Sequence, residues 1–557
     1  MILRPSRKLA GPMYRRKSGL IAALLTLFLF LLFLQTRIHH EPAEPPPVAR
    51  PESVPESVPV PQSDGEAKPP AKIKNPLLDS QAAFWRDLYL IILNNDPNCR
   101  NPPDLVVPQK LDIGFDPTHN HPRPDILYMD TADIKRMREA HSNFINDLKS
   151  TPPKIPYEPG TRGIVMTGGF SQLPVLVISI RMLRRAESEL PVEVFVADPS
   201  EWDEQICNVV LPALNAKCLL FSDIFHTANT GVSIDRFQFK IMAILFSSFE
   251  EVLLLDSDAF PIHNPLSLFQ EEPFKSNGLI VWPDFWYASE SPYYFEIAKI
   301  DRIPALNERA AVESGEVMYS KVKHHLSIML AAYYNYYGPT YYYPLFSQGA
   351  PGQGDKETFA WAATALKEPF YAVHQRVMAL GRHDTSGNYL GSAMVQHDAI
   401  ADYTFTMAHG PPHERVQDVD TGKDSHFDIQ ASDVKPFFIH ANFPKFDPAT
   451  IFGHEMTDFS GRVTGAGGPT QDSNGTKVRC WMDEARAMEV FGFDVERRFW
   501  EEIKGTACEY EHQFGAWKGK QGICERTQKY WNEVFGSDPA LEDRQNVGTS
   551  VELPAPP

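Results

Sequence analysis

Asp256-Ser257-Asp258 ends the run Glu251-Val-Leu-Leu-Leu-Asp-Ser-Asp-Ala-Phe260 and precedes a turn-prone stretch, Pro261-Ile-His-Asn-Pro265. Apolar residues followed by two acids read as a buried strand that delivers carboxylates to the C-terminal edge of a parallel sheet, where open α/β folds bind ligands. Hard divalent cations such as Mg²⁺ and Mn²⁺ take oxygen ligands and bridge carboxylates to substrate phosphates. The pair fits a metal–diphosphate site. It fits equally two acids that cap the next turn.

Three further segments carry candidate chemistry. In Ser347-Gln-Gly-Ala-Pro-Gly-Gln-Gly-Asp-Lys-Glu-Thr-Phe359, turn-type residues present Asp355, Lys356 and Glu357 just before a helical pattern, Thr358 to Leu366. Acids there either complement a helix dipole or receive sugar hydroxyls. His440 follows the apolar Phe437-Phe-Ile439, with Lys445 five positions on. Such a histidine is a satisfied core residue or, beside Asp-x-Asp, a metal ligand with a nearby ammonium for a diphosphate. The run Tyr333 to Tyr343 holds seven tyrosines in eleven residues. It reads as aromatic core or as faces on which sugars stack.

The elements that must position these groups alternate between strand and helix. Gly163 to Thr167 is a short strand running into Gly168-Gly169, where the backbone can turn tightly or approach a ligand. Leu173 to Arg185 has helical spacing with cations in its last turn. Val192 to Ala197 and Lys217 to Phe221 are the next strands. Ser233 reads as the N-cap of a helix through about Phe249, burying Phe237, Ile241, Ile244 and Leu245. That helix would carry Arg236 and Lys240 on one face at i, i+4. Strands 252–256 and Gly278 to Trp282 follow. This order predicts an α/β fold with a Rossmann-like, mostly parallel sheet and helices on both faces. There is no Gly-x-Gly-x-x-Gly and no Walker loop, which argues against nicotinamide dinucleotides and P-loop nucleotides.

Composition suggests a compartment. Arg4, Arg7, Lys8, Arg15, Arg16 and Lys17 lie in a tail, 1–17, before an uncharged stretch, 18–36. That stretch can just span a hydrocarbon core of roughly 30 Å. The charge bias makes it a signal-anchor with a cytosolic N-terminus, a cleaved signal peptide being the competing reading. Residues 37–76 form a Pro-rich, disordered stem, with ten prolines between Glu41 and Pro70. A lumenal catalytic domain is expected over 77–460, a C-terminal subdomain or extension over 461–536, and a disordered tail over 537–557. The six cysteines permit up to three disulfides in an oxidising lumen. Asn474-Gly475-Thr476 is a glycosylation sequon. A net charge of −18 argues against nucleic acid as a partner.

Four ordered phrases carry a resemblance: Lys240 to Asp258, Leu330 to Gly338, Gly354 to Phe359 and His440 to Lys445. Together they resemble the fungal Golgi α-1,2-mannosyltransferases that branch the mannan outer chain (glycosyltransferase family 71, which also holds α-1,3 enzymes). The resemblance spans roughly residues 150–460. It implies a GT-A fold, GDP-mannose as donor, Mn²⁺ as cofactor and a mannose-containing glycan acceptor. It also implies α-linked product with retention, a type II Golgi membrane protein, and a place in a Golgi transferase complex. By the same resemblance Asp256, Asp258 and His440 would hold the metal. Arg236, Lys240 and Lys445 would face the donor diphosphate, with Thr167 and Gly168 lining the nucleotide pocket. Asp355 and Glu357 would orient the transferred mannose or the incoming hydroxyl. The assignments of His440 and of the 355–357 loop also draw on similarity to retaining GT-A enzymes of the glycogenin-like group. Two alternatives stay open: an α-1,3 enzyme or one using another sugar nucleotide, and a non-catalytic Golgi scaffold.

Overall fold

The computed structural model describes residues 75–102, 111, 113–351, 354–384, 387–415, 434–453, 456–457, 463–465 and 468–536. The expected signal-anchor at 18–36, nearly all of the stem and the tail at 537–557 lie outside the described residues. Among the described residues no helix is long and apolar enough to cross a membrane.

In chain order, the elements that build and frame the site begin with two helices, α1 (Pro76–Asn94) and α2 (Thr131–Ser150). Strand β1 (Glu158–Thr167) leads into helix α3 (Leu173–Arg185), and strands β2 (Val192–Val196) and β3 (Ala216–Leu220) follow. Helix α4 (Gln238–Phe246) leads into β4 (Phe249–Leu255), a short β5 (Ala259–Pro261), β6 (Leu279–Tyr287) and β7 (Ala310–Ser320). Helices α5 (His325–Tyr336) and α6 (Thr358–Leu366) precede β8 (Tyr371–Ala372), β9 (Met378–His383), β10 (Tyr389–His397) and β11 (Pro436–His440). Helices α7 (Val495–Tyr510) and α8 (Ile523–Phe535) come last.

The main sheet has seven strands in the order β3-β2-β1-β4-β7-β6-β8. It is mixed. The β3-β2-β1-β4 half is parallel, β7 runs antiparallel to both neighbours, and β8 is parallel to β6. Strand β4 shows why its sequence is an unbroken apolar run. Val252 and Leu254 enter one core layer while Leu253 and Leu255 enter the layer on the opposite face, as a strand covered on both sides requires.

A second sheet, β5-β11-β10-β9, was not legible from the alternation pattern. All its pairings are antiparallel, and β11 sets His440 opposite Ala259 of β5. The Asp-Ser-Asp segment is the link between the two sheets. Phe260 and Ile439 share a core layer with Trp481, Phe499 and Trp500 from the C-terminal region. Arg181 and Arg185 of α3 pair with Glu502 of α7 at 2.9 and 2.7 Å.

Some expectations are corrected. The helix before β4 starts at Gln238, not near Ser233. Arg236 adopts a left-handed conformation at φ 46°, so it precedes the helix and does not share a face with Lys240. Phe237 is 42% exposed, so it lies outside the core assigned to it. The cause is tertiary. Gln238 Oε1 accepts from the Asp235 amide at 2.8 Å while its Nε2 donates to the Asn335 carbonyl at 2.8 Å, which fixes the first turn. The tyrosine run is core: Tyr333, Tyr334 and Tyr342 are fully buried. Two disulfides form, Cys207–Cys218 and Cys508–Cys524, while Cys99 and Cys480 are free thiols.

His141 of α2 gives this core a pH dependence. It is 1% exposed, with Nε2 2.7 Å from the Tyr334 hydroxyl. Burial, reinforced by Lys299, pushes its pKa down to about 3. The unfolded chain takes up this proton near pH 6.5 and the folded chain does not, so stability is full above that pH and falls below it. Between about pH 6.5 and pH 5 the loss should be roughly 2 kcal/mol. Urea titrations at both pH values should show this slope reduced in His141→Gln.

Candidate active site

Asp256 and Asp258 are fixed first by their backbone. The Asp256 amide donates to the Gly315 carbonyl of β7 at 2.8 Å, and the Ala259 amide closes a turn on the Asp256 carbonyl at 3.0 Å. The Ser179 hydroxyl of α3 donates to the Ser257 carbonyl at 2.8 Å, and the Ala441 amide to the Asp258 carbonyl at 2.9 Å. Both sheets and one helix therefore hold a segment of three residues. Gly168 follows β1 at the same edge, where a Cβ would come within 3.9 Å of Ser257. Thr167 ends β1 beside it.

The side chains form one charged cluster. Lys240 Nζ contacts Asp256 at 2.9 Å and also donates to the Ser314 carbonyl at 2.9 Å. His440 Nε2 is 3.2 Å from Asp258 and 3.8 Å from Asp256. Lys445 Nζ contacts the other oxygen of Asp258. On the far side of the ring, His440 Nδ1 is 3.3 Å from Glu313, near enough for an ion pair but poorly aligned for a hydrogen bond. Asp355 Oδ1 accepts from the Ser314 hydroxyl at 3.3 Å, and its Oδ2 is buried without a partner.

These contacts set protonation. Burial opposes charge on Asp258, yet His440 and Lys445 hold its carboxyl well below the usual range. Burial likewise disfavours the Lys240 ammonium, but Asp256, Asp355 and Glu313 keep it protonated. His440 is buried too, and Asp258 with Glu313 raises it well above an ordinary imidazole. Burial and the neighbouring Glu313 push Glu316 up, so it stays neutral. Burial, aided by Asp256, lifts Asp355 to about 6 against the pull of Lys240.

Two groups of side chains have the spacing to hold a metal ion. Asp256, Asp258 and His440 each offer a ligand atom, all within 4.8 Å of one another, as do Glu313, Glu316 and His440. The donor chemistry separates them. The first set has two carboxylates in contact with ammonium groups and a partly open edge at Asp256, while Glu316 in the second is neutral and fully buried. A hard divalent cation fits the first set, once His440 gives up the proton that the bare acids hold on it.

The sequence-named residues divide. Asp256, Asp258, His440, Lys240, Lys445 and Asp355 come together. Arg236 does not join them; it is exposed and contacts Asp235 at 3.7 Å. Glu357 also faces elsewhere, accepting from Arg309 at 3.0 Å and from the Val312 amide at 2.7 Å. Its contacts are those of a buried structural ion pair. Glu357→Ala should cost about 3 kcal/mol of stability, because Arg309 keeps only its longer 3.6 Å contact with Glu290 and the Val312 amide loses its acceptor, which chemical denaturation would measure. Asn474 is exposed in a turn, its amide bonded to Asp472 at 2.9 Å. Glu313, Ser314, Gly315 and Glu316 were missed. Their signal was available: two glutamates inside a strand that otherwise reads Ala-Ala-Val and Val-Met-Tyr.

A family model described as "Mannosyltransferase putative" matches residues 161–311 and 305–398. The α-1,2-mannosyltransferase MNN21 of Candida albicans is 32% identical over 471 residues, covering 76% of this chain and 68% of its own length. MNN2 of Saccharomyces cerevisiae, also an α-1,2-mannosyltransferase, is 34% identical over 376 residues, 58% of this chain and 62% of its own length. MNN5 of Saccharomyces cerevisiae, of the same description, is 29% identical over 436 residues, 67% and 72% respectively. Among solved structures, the galactosyltransferase LgtC with donor and acceptor sugar analogs overlaps 38% of this chain and 73% of its own. Its identity is 12% and its TM-score 0.25, too slight a likeness to carry an argument.

Proposed function

The chain belongs to the family of fungal α-1,2-mannosyltransferases, and on that premise we propose that it transfers mannose from GDP-mannose to a mannose residue of a glycan. The observation that carries this reading is the cluster of Asp256, Asp258 and His440 flanked by the Lys240 and Lys445 ammonium groups. Acids that can hold a cation, with ammonium groups in contact, suit the diphosphate of a sugar nucleotide. Its position at the C-terminal ends of parallel strands β1 and β4 fits a GT-A type enzyme.

Mn²⁺ bound by Asp256, Asp258 and His440 would neutralise charge on the departing GDP. Lys240 and Lys445 add fixed positive charge near the same phosphates, where charge grows as the bond to the sugar breaks. The unpartnered Oδ2 of Asp355 is an acceptor for a hydroxyl of the transferred mannose. The acceptor hydroxyl attacks the anomeric carbon, the bond to the β-phosphate oxygen breaks, and the hydroxyl proton passes to the leaving phosphate. Front-face attack of this kind retains the α configuration, and the 2-hydroxyl of the acceptor mannose as the attacking group makes the linkage α-1,2. Thr167 and Gly168 border the nucleotide.

The same reading makes the protein a Golgi type II membrane enzyme, anchored by 18–36 and glycosylated at Asn474, acting on N-glycan outer chains within a transferase complex. The test is an assay of the protein with a panel of nucleotide sugars and α-mannobiose, with and without Mn²⁺, followed by linkage analysis. Metal-dependent transfer from GDP-mannose into an α-1,2 product is expected. Absence of transfer from every sugar would end the reading, and an α-1,3 product would end its linkage.

A further inference from the structure

A pocket of about 210 Å³ opens at the C-terminal ends of β2 and β3. Asp198 enters its lining two residues after β2, and Phe221 and Ser222 directly after β3. The loop 231–234 and Phe239 of α4 complete it. The sheet order β3-β2-β1-β4 puts these strand ends on the same edge as Gly168, which follows β1, and Asp256, which follows β4. Two strand spacings, about 10 Å, separate the end of β2 from the end of β4. Helix α4 joins the two places: Phe239 lines the pocket, and the next residue, Lys240, contacts Asp256.

Two polar side chains of the lining have capacity to spare. The Ser200 amide and hydroxyl both donate to Asp198 Oδ1, at 2.8 and 2.6 Å, which leaves Oδ2 to accept from a ligand. The same bonds hold the Asp198 carboxyl below its usual range, so it acts as an acceptor only. Ser222 Oγ is buried without a hydrogen-bond partner, a state that native interiors seldom leave uncompleted. The other walls are flat and apolar. Phe221 and Phe239 stack at 5.5 Å with their planes 16° apart, and Phe225 stacks on Phe221 at 6.2 Å. Among the described residues no lysine or arginine lines the pocket.

Such a surface takes a flat, neutral ring that offers N–H groups to a carboxylate. A phosphate here would face Asp198 with no cation to balance the two charges. The transferred hexose belongs at the phosphate end, beside Asp256 and Asp355, about 10 Å away. The volume suits a single heterocycle, since larger ligands occupy roughly 300–1,000 Å³. Among the nucleobases, guanine presents a ring N–H beside an amino group, two donors on one edge. Adenine and cytosine turn a ring acceptor to that place, and uracil flanks its N–H with two carbonyl oxygens that a carboxylate repels.

Resting on the donor reading above, we propose that this pocket holds the base of the donor nucleotide and that Asp198 sets the preference for guanine. Asp198 Oδ2 accepts from the edge that carries the ring N–H and the 2-amino group. The Ser222 hydroxyl bonds a further polar atom of the base. Ribose and diphosphate then cross the gap past Gly168 to the metal cluster.

Calorimetric titration of the full chain in Mn²⁺ with GDP, UDP, inosine diphosphate and xanthosine diphosphate tests this. Inosine lacks the 2-amino group, and xanthosine carries a carbonyl in its place. Wild-type protein should bind GDP about tenfold or more tighter than either analogue. Asp198→Asn should weaken GDP about tenfold, yet bind xanthosine diphosphate more tightly than wild type does, because its amide donates to the 2-carbonyl. A loss of structure alone would not improve any nucleotide. Ser222→Ala removes only an unpartnered hydroxyl and should weaken GDP severalfold at unchanged melting temperature. An unchanged preference for GDP over xanthosine diphosphate in folded Asp198→Asn would overturn the assignment. If that variant melts early, unchanged GDP affinity in Ser222→Ala overturns it instead. Wild-type protein that transfers mannose from GDP-mannose, with both variants unaffected, defeats only the base pocket. Wild-type protein that ranks UDP above GDP defeats the donor reading as well.

Discussion

Asp258→Asn should lower mannose transfer by about three orders of magnitude or more while leaving the fold intact. Asp258 is 2% exposed and meets two cations, His440 at 3.2 Å and Lys445. Asparagine keeps the shape, and the backbone bonds from Ala441 and Ser179 that hold the segment do not depend on the carboxylate. What disappears is one of the two carboxylate ligands of the metal set. The local charge inventory explains why folding should survive. Glu313 remains against His440, Lys445 is half exposed and can turn to water, and neutral Glu316 adds no charge. Asp256→Asn should act similarly, with the further consequence that Lys240 loses its 2.9 Å partner. Transfer assays paired with Mn²⁺ titration by electron paramagnetic resonance would measure both effects. Activity within tenfold of wild type, at unchanged melting temperature, would remove Asp258 from the site.

What could be seen in the sequence was whatever local pattern alone determines. Leu173–Arg185 and Thr358–Leu366 appear as helices with the boundaries their apolar spacing predicts. The strand ending in Asp-Ser-Asp announces itself because both its faces are buried. Long-range contacts decided the rest. Ser233 looks like an N-cap, but Gln238 prefers a carbonyl on α5, and Phe237 prefers the ring contact with Tyr343 to the core. Glu357 sits two residues from Asp355 and looked equivalent to it, yet a helix start turns successive side chains in different directions. One therefore meets Ser314 and the other Arg309. Glu313-Ser-Gly-Glu316 has the composition of a loop. It is strand because β4 and β6 flank it, and its polar side chains find partners on other elements, Glu313 in His440 and Ser314 in Lys240 and Asp355.

That segment also supports the strongest steric expectation. A Cβ on Gly315 would stand 2.5 Å from His440 Nδ1 and 2.8 Å from Glu313 Oε2. Neither neighbour can retreat freely. The His440 ring is held from its other nitrogen by Asp258, and the Gly315 carbonyl accepts the Asp256 amide at 2.8 Å, so moving the strand moves Asp256 as well. Gly315→Ala must therefore either rotate His440 away from the acids or shift β7 against β4. Overpacking of this kind costs about 1–3 kcal/mol of stability. The functional cost should be larger, because either movement separates His440 from Asp258 and Asp256. Mn²⁺ affinity should fall roughly 10- to 100-fold, as when the support of a metal-bound histidine is lost, and transfer should fall with it. Gly453→Ala is the control, since a Cβ there meets nothing within 4 Å. Isothermal titration with Mn²⁺ and denaturant melts on both variants separate the two costs. Wild-type metal affinity in a folded Gly315→Ala protein would mean that His440 does not contribute to holding the metal, leaving Asp256 and Asp258 to do so without it.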